Sequence, residues 1–315
     1  MKKAIIISDK KPGHVNQCIA ISKILNYEYE INESYFKSSL HQLLSYILDF
    51  LNIYTDRLFV KKKFNNGYNI IISAGSKTYY INKYYAKKLN IPNIAIQLPR
   101  GYRLNFTKVI CSNYDNSPIK KNITKIDTNI SYSDPKWYKN ETEKFLENQL
   151  FHHPSIGIII GGNSNKSHMC LEDMEDSINK IFKLTPNHHH YVTTSRRTPK
   201  EIDNLLNKYK FEYKLIYREN NNYNPVPAFT QVCEHLFITS DSTSMISEAV
   251  CIGSSSVTII PLKQKGMFKK FNKFNKFIEY LIKNTSVSLL KTELEVSNKK
   301  IDTESKIKEI LKDIN

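Results

Sequence analysis

The feature that most constrains the fold is a repeated alternation of short apolar runs with helical segments. Apolar runs at Lys3–Ser8 and Tyr68–Ser73 each lead into a small polar loop and a helical pattern. Runs at Ser155–Ile160 and His189–Thr194 begin the same order again. A helix is also predicted over Ser38–Phe50, whose apolar residues share one side. Buried parallel strands read as continuous apolar runs joined by helices, so we predict an α/β fold with parallel sheets.

The length of 315 residues is sufficient for two domains. The sequence turns polar between Tyr132 and Pro154, and strand-like runs resume directly afterwards. We therefore predict two Rossmann-like domains, residues 1–150 and 151–315, that face each other across a central cleft. The last predicted helix, Thr303–Ile314, is a candidate to pack back on the N-terminal domain.

The segment after Phe237-Ile238 is the most informative candidate site. An apolar run ends there in hydroxyl residues, and a helical pattern with a carboxylate one turn later follows. Helix N-termini bind anions, and a carboxylate there can accept hydrogen bonds from sugar hydroxyls. A capped core helix whose Glu faces solvent explains the segment equally well in isolation. The predicted donor-binding residues here are Ser240, Asp241, Ser242, Ser244, Ser247 and Glu248.

Two other loops of the C-terminal half follow predicted strands. Gly161 and Gly162 are expected to let a diphosphate approach the backbone, although a plain flexible loop has the same sequence. Ser195, Arg196 and Arg197 stand before a proline at a helix start, which favours a rigid anion clamp over two ordinary surface arginines. We therefore add these five residues to the predicted donor site.

The first loop, DKKPGH, supplies the candidate catalytic residue. Gly13 is expected to adopt a backbone angle that other residues resist, so that a substrate can approach. His14 would stand at the helix mouth and take a proton from an acceptor hydroxyl. A turn histidine that only packs locally is an equally open interpretation, and Asp9 and Asp115 are the alternative bases.

The remaining acceptor-side candidates come from the same loop and from the segment SAGSKT. The latter lacks the G-x-x-x-x-G-K spacing of a nucleotide-binding P-loop, so a nucleoside triphosphatase is excluded. An ordinary strand-to-helix turn explains it as well as acceptor binding does. These candidates are Asn16, Gln17, Gly75 and Ser76.

The sequence favours a mechanism without a metal or a cofactor. The run His188–His190 cannot ligate one ion, because neighbouring strand residues point to opposite faces. No D-x-D pattern is present, and Asp173 and Asp176 fall on a predicted helix. A nucleotide-sugar would therefore be a donor substrate and not a bound cofactor.

The charge balance points to anionic partners. Lysine and arginine number 46 against 30 acidic residues, a formal net charge of +16. No nucleic-acid-binding motif accompanies this charge, so an anionic glycolipid or membrane surface is favoured over nucleic acid. The predicted helix Met267–Ile282 carries phenylalanines three apart with lysines between them, at Phe268, Phe271, Phe274, Phe277, Lys269, Lys270, Lys273 and Lys276. A core helix with a basic flank is favoured there over peripheral membrane contact.

Localisation is predicted from what the sequence lacks. Its five cysteines are scattered singly, which suits reduced thiols. The apolar run after the basic start is too short for a signal peptide, and no run is long enough to cross a bilayer. We expect a cytoplasmic protein that rests peripherally on the inner face of a membrane.

Five segments together resemble one family. They are SDKKPGHVNQ, SAGSKT, IIIGGNS, TTSRRTP and SDSTSMISEA, in that order. They are similar to the mitochondrial-fission (elongated-mitochondria) family and its bacterial relatives, whose members resemble GT-B glycosyltransferases. The resemblance implies two Rossmann-like domains, with a nucleotide-sugar donor on the C-terminal one and an acceptor on the N-terminal one. It carries over to Gly13 and His14, Gly161 and Gly162, Ser195–Arg197 and Asp241–Glu248.

The resulting hypothesis is a metal-independent, inverting glycosyltransferase. It would move a sugar from a nucleotide-sugar to a glycolipid or a surface-polysaccharide precursor, such as an oligosaccharide. Two alternatives stay open: a non-catalytic scaffold that recruits a membrane or partner, and a nucleotide-sugar epimerase on the same fold.

Overall fold

The computed structural model describes residues 2–62, 67–132, 134–164, 167–264 and 273–314. Strands lie at β1 Lys3–Ile7, β2 Glu28–Asn32, β3 Tyr35–Phe36, β4 Phe59–Val60, β5 Ile70–Ala74, β6 Asn93–Ile96, β7 Lys108–Ser112, β8 Ile123–Ile126, β9 Ser155–Ile160, β10 Ser167–His168, β11 His189–Thr194, β12 Tyr213–Leu215, β13 His235–Thr239, β14 Ser256–Ile260, β15 Lys263–Gln264 and β16 Ser288–Leu289. Helices lie at α1 Pro12–Ile24, α2 Ser39–Phe50, α3 Tyr79–Leu89, α4 Pro135–Asn148, α5 Leu171–Leu184, α6 Lys200–Leu206, α7 Val226–Val232, α8 Thr243–Cys251, α9 Lys273–Lys283 and α10 Thr303–Ile310.

The chain forms two compact units. The first comprises Met1–Tyr132 with Asp302–Asn315, and the second comprises Ser133–Ile301. The expected boundary at residue 150 falls at the end of α4, whereas the structure places α4 in the second unit. The physical reason is aromatic packing, because Phe145 of α4 meets Phe229 of α7 with ring centroids 5.7 Å apart.

The first unit is built on a six-stranded parallel sheet in the order β2-β1-β5-β6-β7-β8. Alternate residues of its central strands enter two apolar layers. Ile6 and Ile72 pack with α1 and with Ile307 of α10. Ile5 and Ile71 pack on the opposite face, among the tyrosines of α3. Burial on both faces explains why these strands read as unbroken apolar runs.

The second unit has a parallel sheet in the order β12-β11-β9-β13-β14-β16. Ile156, Ile158 and Ile160 of β9 face Met174 and Ile178 of α5 in one buried cluster. The strand order is that of a Rossmann domain, with β9 as the first strand. The first unit has the other common doubly wound order, with β1 as its first strand, so both units have the predicted Rossmann-like architecture.

The basic helix predicted over Met267–Ile282 is described in part, as α9. Residues 265–272, which include Phe268, Phe271, Lys269 and Lys270, lie outside the described residues. Phe277 is 1% exposed and belongs to the core. Among the described helices, none combines the length and apolarity that a membrane crossing requires.

Candidate functional site

Each sheet has a point where successive connections run in opposite directions. In the second unit the chain leaves β9 towards β11 and β12, then returns to β13 on the other side of β9. In the first unit the corresponding neighbours are β1 and β5. Ligands of open α/β sheets bind outside the carboxyl ends of such strand pairs. The predicted site residues cluster at these two switch points.

The second unit's switch point is organised around Asp241, which is 4% exposed. Its carboxylate accepts hydrogen bonds from the backbone N–H of Gly162 at 3.0 Å and the hydroxyl of Thr239 at 2.7 Å. Arg197 Nη2 donates to Oδ2 of the same carboxylate at 2.6 Å. Charge-assisted bonds of this kind are strong, so the loops after β9, β11 and β13 are tied together.

The two glycines make room for protein atoms. A Cβ on Gly161 would lie 2.2 Å from Asp241 Oδ1, and a Cβ on Gly162 would lie 2.1 Å from the carbonyl oxygen of Arg197. Close packing against protein atoms therefore explains why glycine stands at both positions, without a bound diphosphate.

Several predicted serines hold the strand-end loops in place. Ser195 Oγ donates to the Gly161 carbonyl at 2.8 Å. Ser240 Oγ accepts the Leu262 N–H at 2.9 Å. Ser242 caps α8 by accepting the Met245 N–H, and Ser247 is buried in that helix. Ser244, in the first turn of α8, is exposed.

The predicted arginine clamp is divided between two environments. The guanidinium of Arg197 is engaged by Asp241, and its Nη1 donates to the Asn163 carbonyl at 3.3 Å. Arg196, by contrast, is exposed. Arg196 is therefore the more accessible of the two for an anion.

Glu248 lies in α8, and its carboxylate Oε1 accepts a hydrogen bond from Tyr138 Oη at 2.8 Å. Burial raises the pKa of Glu248, and the bond from Tyr138 opposes that rise only in part. Burial, with the charge of Glu248, raises the pKa of Tyr138 as well. Tyr138 was not among the predicted site residues; its only signal in the sequence was its place in α4, after the capping Asp134 and Pro135.

The first unit's switch point holds an Asp–His pair. Asp9 Oδ2 and His14 Nδ1 are 2.9 Å apart, and the Asp9 side chain is 1% exposed against 20% for His14. Burial alone raises the pKa of Asp9, but its hydrogen bond and charge interaction with His14, helped by Lys11, hold that pKa below its usual value. The carboxylate thus fixes the imidazole, leaving Nε2 as the nitrogen that does not face Asp9.

Gly75, at the end of β5, completes this arrangement. Its φ is +92°, and a Cβ there would lie 2.7 Å from the His14 ring and 3.1 Å from Asp9 Oδ2. A side chain at this position would therefore displace the imidazole.

The other first-unit candidates have varied surroundings. Gly13 lies in α1, and a Cβ at that position would have no atom within 4 Å, so the expectation of a special backbone angle there is wrong. Gln17 uses both ends of its amide inside the unit, on the Gly13 carbonyl and the Ile130 N–H. Asn16 and Ser76 are exposed. The alternative base Asp115 is ion-paired with Arg100 at 3.2 Å.

A pocket of about 440 Å³ opens beside the Asp–His pair. It is lined in part by Asp9, Lys10 and Lys77, and by Ser38, Ser39 and Gln42 at the start of α2. A pocket of similar volume in the second unit lies between α4 and β12 and is lined by none of the predicted site residues. The predicted site residues, with their converging polar groups, lie at the strand ends and not in this second pocket.

The histidine run is part of the protein's packing. His190 stacks on Phe182 and bonds Thr185, and burial lowers its pKa to about 4. His189 pairs with Glu212 at 3.2 Å. Across the part of the chain that the structure describes, no group of three or more His, Cys, Asp or Glu side chains is placed to hold a metal ion.

The fold defines a class: two Rossmann-like domains, as in GT-B glycosyltransferases and UDP-GlcNAc 2-epimerases. The profile of the family described as Mitochondrial fission ELM1 matches residues 12–313. The chain therefore belongs to that family. A comparison with curated proteins finds no match.

Several solved structures are similar to this chain at low sequence identity. UDP-GlcNAc 2-epimerase from Neisseria meningitidis, bound to UDP-GlcNAc, is 13% identical with a TM-score of 0.51, over 99% of this chain and 91% of that one. UGT71G1 from Medicago truncatula, complexed with UDP-glucose, is 9% identical with a TM-score of 0.50, over 99% and 90%. A family 9 glycosyl transferase from Veillonella parvula is 10% identical with a TM-score of 0.46, over 99% and 97%.

Proposed function

We propose that this protein is a metal-independent, inverting glycosyltransferase that takes a sugar from a nucleotide-sugar donor. The observation that carries the proposal is the Asp9–His14 pair, a hydrogen-bonded base at a strand-end switch point in a unit separate from the donor-binding candidates. A transferase needs such a base for its acceptor hydroxyl as well as a donor site.

The donor is proposed to bind at the second unit's switch point. Arg196 and the N-terminal turn of α8 would contact the phosphates, since both offer positive charge where Asp241 and Arg197 neutralise each other. Glu248 would accept ribose hydroxyls with the carboxylate oxygen that Tyr138 does not use. A nucleoside diphosphate sugar fits these groups, and a CMP-linked sugar offers a single phosphate to the same arginine.

The Asp–His geometry supports the following proposed transfer step. The acceptor hydroxyl attacks the anomeric carbon, His14 Nε2 takes its proton, and the bond from that carbon to the phosphate oxygen breaks. The phosphate leaves with the electron pair, and Asp9 stabilises the imidazolium that forms. Attack opposite the leaving group inverts the anomeric configuration. The proposed acceptor is a glycolipid or surface-polysaccharide precursor.

Isothermal calorimetry with UDP-, GDP-, dTDP- and CMP-sugars tests the donor site. We expect one nucleotide class to bind, and Arg196→Ala to weaken its binding about tenfold through loss of a charge-assisted contact. Lys200→Ala, which removes an exposed positive charge at the start of the next helix, is the matched control. No binding across the panel would favour the scaffold alternative.

Nuclear magnetic resonance of the bound donor distinguishes the proposed glycosyltransferase from the second alternative, a nucleotide-sugar epimerase. A new nucleotide-sugar isomer formed without any acceptor would identify an epimerase. That alternative shares the observed fold, because the Neisseria protein of the same architecture is a 2-epimerase.

A further inference from the structure

Helix α2 carries large apolar side chains on its solvent side. Leu40, Leu43, Leu44, Ile47 and Phe50 recur every three or four residues, as one face of a helix requires, and are 41% to 76% exposed. We call these five residues the α2 apolar stripe. Exposed apolar side chains gathered on one face, unlike apolar residues scattered singly, mark interaction sites.

The inner side of the same helix packs Tyr46 and Leu48 against the core and also carries two buried polar residues. Ser45 and Asp49, one turn apart, are both fully buried. Ser45 Oγ lies 2.8 Å from Tyr102 Oη, and Asp49 accepts bonds from Lys83 Nζ at 2.7 Å and from the Arg103 N–H at 2.6 Å. The helix is therefore held by inward apolar packing and by polar contacts, and it turns a second apolar face outward to solvent.

The α2 apolar stripe is uncharged, and basic residues flank it. The one charged residue of α2, Asp49, is buried against Lys83, so the stripe itself is uncharged. Exposed basic residues stand at both ends of the helix: Lys37 precedes its cap, and Arg103 donates to the Phe50 carbonyl. Arg57 lies in the adjoining 3₁₀ turn, whose Asp56 is neutralised by Lys61.

We propose that the α2 apolar stripe docks this protein on an anionic lipid bilayer. An amphipathic helix with an apolar face and a basic fringe lies in the plane of such a surface. The helix has 12 residues, or about 18 Å of length along the membrane plane. Charge complementarity selects this occupant, because two copies of a chain with a net charge of +16 repel each other, whereas acidic headgroups attract it.

The position of the stripe also fits the proposed acceptor, and this step alone rests on the proposed function. The pocket beside Asp9 is lined by Ser38, Ser39 and Gln42, which belong to the cap and first turns of α2. A lipid-linked sugar could place its headgroup in that pocket while its tail stays in the bilayer beside the stripe.

Vesicle flotation of the full chain tests the docking surface. The vesicles contain equal parts phosphatidylglycerol and phosphatidylcholine, or phosphatidylcholine alone. We expect binding to the anionic vesicles, weakened by salt and weak on the neutral ones. The double variant Leu43→Glu/Ile47→Glu should reduce binding about tenfold or more. Two apolar side chains would no longer enter the bilayer, and two negative charges would meet the acidic headgroups.

The matched control is Leu150→Glu/Val296→Glu, which makes the same charge change at exposed apolar positions of the second unit. It should stay within about threefold of the unchanged protein, since net charge alone contributes a smaller part. The single variant Leu43→Glu repeats the test with half the change, and circular dichroism checks that every variant is folded.

Three results would overturn the proposal: no binding to anionic vesicles, equal losses in both double variants, or a dimer by light scattering that only the stripe variant converts to monomer. Donor calorimetry on the stripe variant should be unchanged, so failure of docking and failure of the donor site can be told apart.

Discussion

In the first unit a buried aspartate holds a histidine at the switch point, whereas in the second a buried aspartate holds an arginine. Asp9 and His14 are 2.9 Å apart, and Asp241 and Arg197 are 2.6 Å apart. In both, a glycine of the neighbouring strand end leaves space for the pair. An imidazole exchanges protons near neutral pH and a guanidinium does not, so the first pair suits proton transfer and the second a fixed scaffold beside an anion site.

The largest effect is expected on turnover, from a substitution that removes His14 from the first pair. We expect His14→Ala to reduce turnover by about 10²–10⁴-fold, the usual contribution of a general base, while donor affinity stays unchanged. Turnover is measured as nucleotide release from the donor that binds, with water as the acceptor. His153→Ala, which removes an exposed histidine of the second unit that pairs with Glu234, is the control. Normal turnover in His14→Ala would move the base elsewhere.

The next largest effect is expected on stability, from alanine substitutions at two glycines. Gly162→Ala should lower the free energy of unfolding by about 3 kcal/mol, because its Cβ would meet the Arg197 backbone, which cannot swing away as a side chain can. Gly13→Ala has open space and helical backbone, so it should leave stability unchanged or raise it by roughly 0.5 kcal/mol. Urea denaturation measures both. Equal losses would mean that the close approach at Gly162 relaxes at no cost.

Neutralising each aspartate compares the pairs directly. Asp241→Asn should cost about 2 kcal/mol of stability, because it weakens three bonds; water at the partly exposed Arg197 limits the loss. Asp9→Asn should cost about 1 kcal/mol, since an Asn side chain can still hydrogen-bond the His14 ring, but it should depress turnover. The contrast fails if Asp9→Asn costs as much stability as Asp241→Asn and leaves turnover intact.

The smallest effects are in pH dependence, and they have opposite signs. The lowered pKa of Asp9 means that its contribution to stability is present above the ordinary aspartate pKa and is lost as pH falls through the folded-state value. The raised pKa of Glu248 means that its contribution is present below the ordinary glutamate pKa and is lost as pH rises through the folded-state value.

Urea midpoints measured from acid to neutral pH test both signs. The stability difference between the unchanged protein and Asp9→Asn should grow as pH rises, while the difference from Glu248→Gln should shrink. Two slopes of the same sign would contradict one of the assigned environments.

Much of the fold follows from the sequence because buried parallel strands leave an unbroken apolar signal. The predicted strands Ser155–Ile160 and His189–Thr194 match β9 and β11 at both ends. The edge strand β2, Glu28–Asn32, was missed because most of its residues face solvent and are polar. Helix α2 was predicted, but its apolar periodicity does not say which side faces the solvent.

The candidate site was predictable in position but not in its contacts. Strand-end loops mark the carboxyl edge of a sheet whatever the strand order is. The pairs Asp9–His14 and Asp241–Arg197 arise differently. The first is local to one loop, and a spacing of five residues could have indicated it. The second joins loops after β11 and β13, which depends on the strand order and leaves no periodic signal.

Helix α10 makes folding of the first unit depend on the order in which the chain is synthesised. Ile307 of α10 and Leu311, the residue that caps it, complete the apolar layer that β1, β5 and α1 begin. Because the whole second unit precedes α10 in the chain, that layer cannot be sealed until the second unit has emerged from the ribosome. The second unit, which is one continuous segment, is thus able to fold first. The first unit can complete its core only when α10 has been synthesised.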